Sequence, residues 1–160
     1  MTVIAAMRTR TATTEGSTIT LRSECIINAS ADEIWSVLTD FRQFHCWNPF
    51  LVSVAGSLAD GILRVTARLS QLPRVSFAAR LHPVAQCSYL GWDARFAAGL
   101  FHAAHFFTIE PLAASRCRFV QTERFSGMMA KPVLLMLAGR FQAAYDRMNK
   151  ALKQEVEQRR

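Results

Sequence analysis

Between Phe50 and Phe125 apolar and polar residues alternate in six short segments, and beyond Pro132 the repeat changes once, to steps of three and four. That change of period constrains the fold more than any other feature. A two-residue repeat puts alternate side chains on opposite faces of a strand, whereas a 3.6-residue repeat gathers them on one stripe of a helix. The strand-like segments are Phe50–Ser57, Leu63–Ser70, Val75–His82, Cys87–Ala94, Phe101–Glu110 and Cys117–Phe125. In the second, Leu63, Val65, Ala67 and Leu69 alternate with Arg64, Thr66, Arg68 and Ser70, one face apolar and the other polar. Short loops join the segments, which predicts an antiparallel meander. From Val133 onward Leu134, Leu137, Phe141, Ala144, Tyr145, Met148 and Leu152 form the stripe of one long amphipathic helix. That stripe needs a surface to cover, and the inner face of the meander supplies it.

Upstream, Ile19–Asn28 reads as a half-buried strand. Ser30 then has the character of a helix N-cap, with Glu33 three residues on as its capping-box partner and Asp32 in the first turn. This helix runs to about Leu38 and buries Ile34, Trp35 and Leu38; Asp40–Cys46 is a second helical turn, ended by Asn48-Pro49. The predicted order is one strand, two short helices, six strands and one long helix. It describes an α+β fold, a strongly curved seven-stranded antiparallel sheet wrapped around the C-terminal helix. A bent sheet and a helix cannot interdigitate along their whole length, so an internal apolar cavity is expected between them. The Thr-rich residues 1–16 show little period and read as a mobile lead-in, leaving 17–160 as a single domain.

Composition narrows the function classes. With 51% hydrophobic residues in 160, the chain is neither disordered nor a small disulfide scaffold. The excess of 19 Lys+Arg over 12 Asp+Glu gives a net charge of +7, but the basic residues are scattered. Only Arg8/Arg10, Arg116/Arg118 and Arg159/Arg160 cluster, and a nucleic-acid footprint would form a stripe, so no nucleic-acid partner is expected. Cys25, Cys46, Cys87 and Cys117 show no CxxC pair and read as reduced thiols of a cytoplasmic protein. No GxGxxG, P-loop, GxSxG or HExxH occurs, and His102 and His105, three apart on a strand, face opposite ways. No cofactor and no metal are expected. No run approaches the ~18 apolar residues of a membrane span.

The stretch Ala29-Ser-Ala-Asp-Glu-Ile-Trp-Ser-Val-Leu-Thr-Asp-Phe41, followed by Trp47-Asn-Pro-Phe50, resembles the opening of the polyketide cyclase/dehydrase-like branch of the SRPBCC superfamily. That superfamily includes the START lipid-transfer domains and the birch-pollen-allergen-like proteins. The resemblance continues through Leu90-Gly-Trp92, His105-Phe-Phe-Thr-Ile-Glu-Pro-Leu112 and Glu123-Arg-Phe-Ser-Gly127, and spans roughly Ile19 to Gln154. It implies the helix-grip fold, with a deep apolar cavity under the C-terminal helix. Members bind lipids, sterols and hormones, or cyclise polyketides.

Alternation assigns the faces that would line such a cavity. Phe101, Ala103, His105, Phe107 and Ile109 share one face of their strand, and Cys117, Phe119, Gln121, Glu123 and Phe125 one face of the next. Arg118 and Arg124 mark the opposite face as solvent. A tight turn at 112–115 places His105 opposite Phe119 or Gln121, with Glu123 further along. His105, Gln121 and Glu123 thus form a polar cluster in an apolar hollow, able to orient a ligand hydroxyl or carbonyl, or to exchange protons. Trp47, Trp92, Phe101, Phe107, Phe125, Met128, Leu134, Leu137 and Phe141 are the candidate walls, each equally suited to ordinary core packing. The expected function is binding, with transport, of a hydrophobic small molecule such as a lipid, isoprenoid or polyketide-like compound. One alternative is a polyketide cyclase or dehydratase using His105 and Glu123 as catalytic residues. Another is docking to a protein or, transiently, to an anionic membrane through the basic surface.

Overall fold

The computed structural model of the chain describes residues 10–159. Its strands, in chain order, are β1 Arg10–Glu15, β2 Thr18–Ile27, β3 Leu51–Ala55, β4 Ile62–Ala67, β5 Val75–Leu81, β6 Tyr89–Phe96, β7 Phe101–Ala113 and β8 Arg116–Ser126. They form one antiparallel sheet in the order β1-β2-β8-β7-β6-β5-β4-β3. The sheet has eight strands where the sequence predicted seven. The extra strand comes from the expected lead-in: β1 pairs with β2 from Arg10–Ser23 to Glu15–Thr18. Residues 12–17 are exposed at the sheet edge, so neither face selects for apolar side chains and no alternation marks the strand. The rest of that expectation, residues 1–9, lies outside the described residues.

Helix α1, Ala31–Thr39, starts as predicted. Ser30 Oγ accepts from the Glu33 N–H at 3.2 Å, and the Glu33 carboxylate accepts from the Ser30 N–H at 2.7 Å. It buries Ile34, Trp35, Val37 and Leu38. A 3₁₀ turn, Phe41–Gln43, leads into the short α2, Phe44–Trp47. Asn48 then ends the helical segment and starts the sheet, its Oδ1 accepting from the N–H groups of Phe50 (3.0 Å) and Leu51 (2.9 Å).

Helix α3, Ala130–Gln158, begins ahead of the periodic stripe read from Val133, with Pro132 as its third residue, where the missing N–H costs no intrahelical bond. Its entry is fixed by Gly127, whose φ is +96° and whose Cβ position lies 2.4 Å from the Leu100 carbonyl oxygen. Only glycine lets the chain pass there, and the Met129 N–H then donates to that carbonyl at 3.0 Å. The C-terminal part of α3 packs tightly on β2. Ser23 donates to Asp146 (2.7 Å) and accepts from Asn149 (3.0 Å), while Lys153 donates to the Ile26 carbonyl (2.9 Å). This buried polar seam sets the helix's rotation and lateral position on the sheet. Beneath it, Ala144, Tyr145, Met148, Leu152 and Val156 fill the core.

The opposite end of the sheet is looser. Among the described residues β5 and β6 pair only at Arg80–Asp93 and Leu81–Trp92. The remainders of the two strands carry Val75, Phe77, Ala94 and Phe96, which line an internal hollow.

Candidate functional site in the cavity under the long helix

The hollow between the inner face of the sheet and the N-terminal half of α3 has a volume of about 490 Å³. That lies inside the roughly 300–1,000 Å³ typical of small-molecule sites. Val133, Leu137 and Phe141 roof it, spaced four residues apart on one stripe of α3. Its floor is Trp92, Ala103, His105, Glu123 and Phe125, from β6, β7 and β8. Leu72, Pro73, Val75, Ala97 and Met129 are its exposed lining residues and mark the mouth. Arg140 on α3 ties the helix to the β4–β5 connection, donating to the Ser70 carbonyl at 2.9 Å. Among the described residues that line it, only His105 and Glu123 have charged or polar side chains.

These two are held by the sheet. His105 and Glu123 are directly paired across the β7–β8 ladder, a correction to the expected partner, Phe119 or Gln121. The reason lies in the hairpin: β7 continues to Ala113 and β8 begins at Arg116, with a register irregularity between Pro111 and Ala113. The turn is tighter than a 112–115 loop, and the pairing shifts accordingly. Both inward faces nonetheless match the alternation.

His105 Nδ1 lies 3.2 Å from Glu123 Oε2, and the Tyr145 hydroxyl donates to the same oxygen in a short hydrogen bond. On the other side of the ring, the Gln121 amide nitrogen is 2.9 Å from His105 Nε2 and also donates to Met148 Sδ at 3.4 Å. An amide nitrogen only donates, so with the Gln121 amide in this orientation Nε2 accepts and the proton resides on Nδ1, directed at Glu123. Burial, reinforced by the negative charge of Glu123 and by the hydrogen bond to it, holds the Tyr145 hydroxyl well above the usual phenol range. Tyr145 is therefore a fixed donor. Glu123 is only 7% exposed. The Tyr145 hydrogen bond and the His105 contact both fall on Oε2, and no hydrogen bond to Oε1 is made among the described residues, while Glu123 lines the cavity.

Of the residues singled out from the sequence, Trp92, Phe101, His105, Glu123, Phe125, Leu137 and Phe141 line the cavity. Five do not. Trp47 packs edge-on against Phe44 at 5.0 Å, beside α2. Phe107 is fully buried between Trp92 and Phe119, deeper than the cavity floor. Gln121 is fully buried behind His105. Met128 points to solvent, and Leu134 is buried on the neighbouring stripe of α3. Sequence reasoning missed the walls Leu72 and Pro73, which sit in the aperiodic β4–β5 connection, and the polar contact of Tyr145; Leu69, on the apolar face of the second alternating segment, lies in the same connection because β4 ends at Ala67. Phe77 and Phe96 also escaped notice. For Phe77 a signal was present, since it shares the inward face of β5 with Ala79.

Residues 18–157 match the family model described as polyketide cyclase / dehydrase and lipid transport. A search of curated proteins finds no match. Among solved structures, the fold is similar to that of the ZhuI aromatase/cyclase from a Streptomyces species. The TM-score is 0.74 at 16% identity, over 89% of this chain and 95% of that one. It is also similar to a START superfamily protein from Mycobacterium smegmatis, with TM-score 0.69 at 21% identity over 88% and 99% of the two chains. Norcoclaurine synthase from Thalictrum flavum, in complex with dopamine and hydroxybenzaldehyde, gives 0.67 at 17% identity over 92% and 95%. At these identities the likeness is one of fold. No helix among the described residues is long and apolar enough to cross a membrane.

Proposed function

The chain belongs to the polyketide cyclase / dehydrase and lipid transport family, and we propose that it binds, and carries, a hydrophobic small molecule in the cavity under α3. A lipid, an isoprenoid or a polyketide-like compound has the required character. The observation that carries this reading is the lining: a 490 Å³ hollow whose wall is apolar except at His105 and Glu123. An apolar ligand entering it removes its own surface and that of the wall from water, at roughly 25 cal/mol per Å² of apolar area. The free cysteines are those of a protein in a reducing compartment, which supports a cytoplasmic setting.

The same geometry favours binding over proton transfer at His105. Both ring nitrogens already have protein partners, Glu123 and Gln121, so neither is presented to the cavity. Native mass spectrometry of protein purified without denaturation tests the reading. A co-purified apolar mass, lost on organic extraction, is expected. An empty protein that turns over polyketide analogues would favour the enzymatic alternative.

A second observation supports contact with a lipid surface during exchange. Beside the mouth, Met128, Leu135 and Met136 are 78%, 80% and 81% exposed, the neighbouring Lys131 is exposed, and the first turn of α3 holds no acidic residue. Exposed apolar side chains with a cation fit an anionic membrane. Sedimentation with phosphatidylserine vesicles checks this: binding is expected for the native chain and not for Leu135→Glu/Met136→Glu.

A further inference from the structure

Resting on the binding reading above, the geometry points to a more specific ligand class: an apolar molecule ending in a hydroxyl group, which donates its proton to Glu123 Oε1. The polar equipment of the cavity is asymmetric. Tyr145 and His105 are both turned toward Glu123 Oε2, and Gln121 is turned toward His105, so every donor of the cluster is committed within the protein. What remains for a ligand is an acceptor without a donor beside it. Ionised, a carboxylate accepts only, and its two oxygens offer about four lone-pair sites.

The surroundings sharpen the choice. The Phe50, Trp92, Phe107 and Tyr145 rings stand 4.5–6.1 Å from the His105 ring, so the floor around the pair is otherwise apolar and a ligand seated on it displaces the water that would solvate Oε1. Among the described residues no arginine or lysine lines the cavity to offset a negative ligand. A ligand carboxylate or phosphate brought to this floor would meet a second negative charge in an apolar setting. A ketone or ether would leave Oε1 desolvated and unpaired. A phenol or alcohol satisfies it.

The test uses three probes of one shape: 2-naphthol, 2-methoxynaphthalene and 2-naphthoate, each titrated against the full chain by quenching of tryptophan fluorescence. Trp92 reports directly, since it lines the cavity. The native protein is expected to take 2-naphthol at least about tenfold more tightly than 2-methoxynaphthalene, the scale of a hydrogen bond to a charged acceptor. It is expected to take 2-naphthoate most weakly of the three. In Glu123→Gln the preference for 2-naphthol over the ether should collapse. Equal affinity for 2-naphthol and the ether in the native protein overturns the inference while leaving apolar binding intact. A preference that survives unchanged in Glu123→Gln overturns Glu123 as the anchor. Binding of none of the probes removes both the inference and the binding reading. The native protein's ranking decides the ligand class even where the variant fails to fold.

Discussion

His105 and Glu123 stand directly opposite each other on β7 and β8, with Nδ1 3.2 Å from Oε2, at the one polar place in an otherwise apolar cavity wall. The ladder register makes this contact, and Tyr145 completes it from α3, so the cluster joins the sheet to the helix that roofs the cavity. Buried polar groups of this kind are costly when a partner is missing. Tyr145→Phe removes the hydrogen bond to Oε2 and leaves the ring packing intact. It is expected to lower stability by about 1.5–3 kcal/mol, the range for hydrogen bonds to charged groups. Urea denaturation of both proteins measures it, as a lower midpoint with unchanged slope.

Gly127 sets where α3 begins. Any Cβ there combines a left-handed backbone, φ +96°, with a 2.4 Å approach to the backbone oxygen of Leu100, which cannot move aside as a side chain would. Gly127→Ala is expected to cost about 1–3 kcal/mol from the dihedral strain alone. Hydrogen exchange should localise the loosening to the Met129 amide, which donates to Leu100, and to the first turns of α3.

On the outer face of the sheet Asp93 accepts from His82 at 3.0 Å and from His102 at 3.1 Å. Partial burial opposes ionisation of Asp93, but the hydrogen bonds from His102 and His82 outweigh it and hold the carboxyl below its ordinary value of 3.8. A carboxyl depressed in the folded state contributes stability that is fully present above its unfolded value and is lost as pH falls through the folded one. Asp93→Asn should therefore lower stability at pH 7, and its gap to the native protein should narrow in acid, below about pH 4. Denaturation at a series of pH values reads this directly. A gap independent of pH would mean that ionisation of Asp93 contributes nothing.

What the sequence made legible follows from the range of the interactions involved. The capping box at Ser30 and Glu33, the inward faces of β7 and β8, and the stripe of α3 are written in residues one to four apart, so period and spacing reveal them. The pairing of His105 with Glu123 depends on how tightly the chain turns between Ala113 and Arg116, and one step of slip there moves the partner along the strand. Strand β1 was invisible because its exposed residues answer to no core. Tyr145 was legible as part of an apolar stripe, but its hydroxyl finds Glu123 across 22 residues of chain, a relation that no local pattern carries. Leu72 and Pro73 become walls only because the β4–β5 connection folds back over the hollow.

If this hollow holds an apolar ligand, blocking it must weaken that binding. Ala103 lines the cavity from β7, and Ala103→Trp would fill the space beside His105 and Phe125 without touching the sheet hydrogen bonds. The measurement is a fluorescence titration with N-phenyl-1-naphthylamine, a neutral apolar dye, on native and Ala103→Trp protein of matched secondary structure. Saturable one-to-one binding to the native protein is expected, with at least about a tenfold weaker affinity, on the order of 1.4 kcal/mol, for the variant. No saturable binding to the native protein, or the same affinity in both, would contradict it.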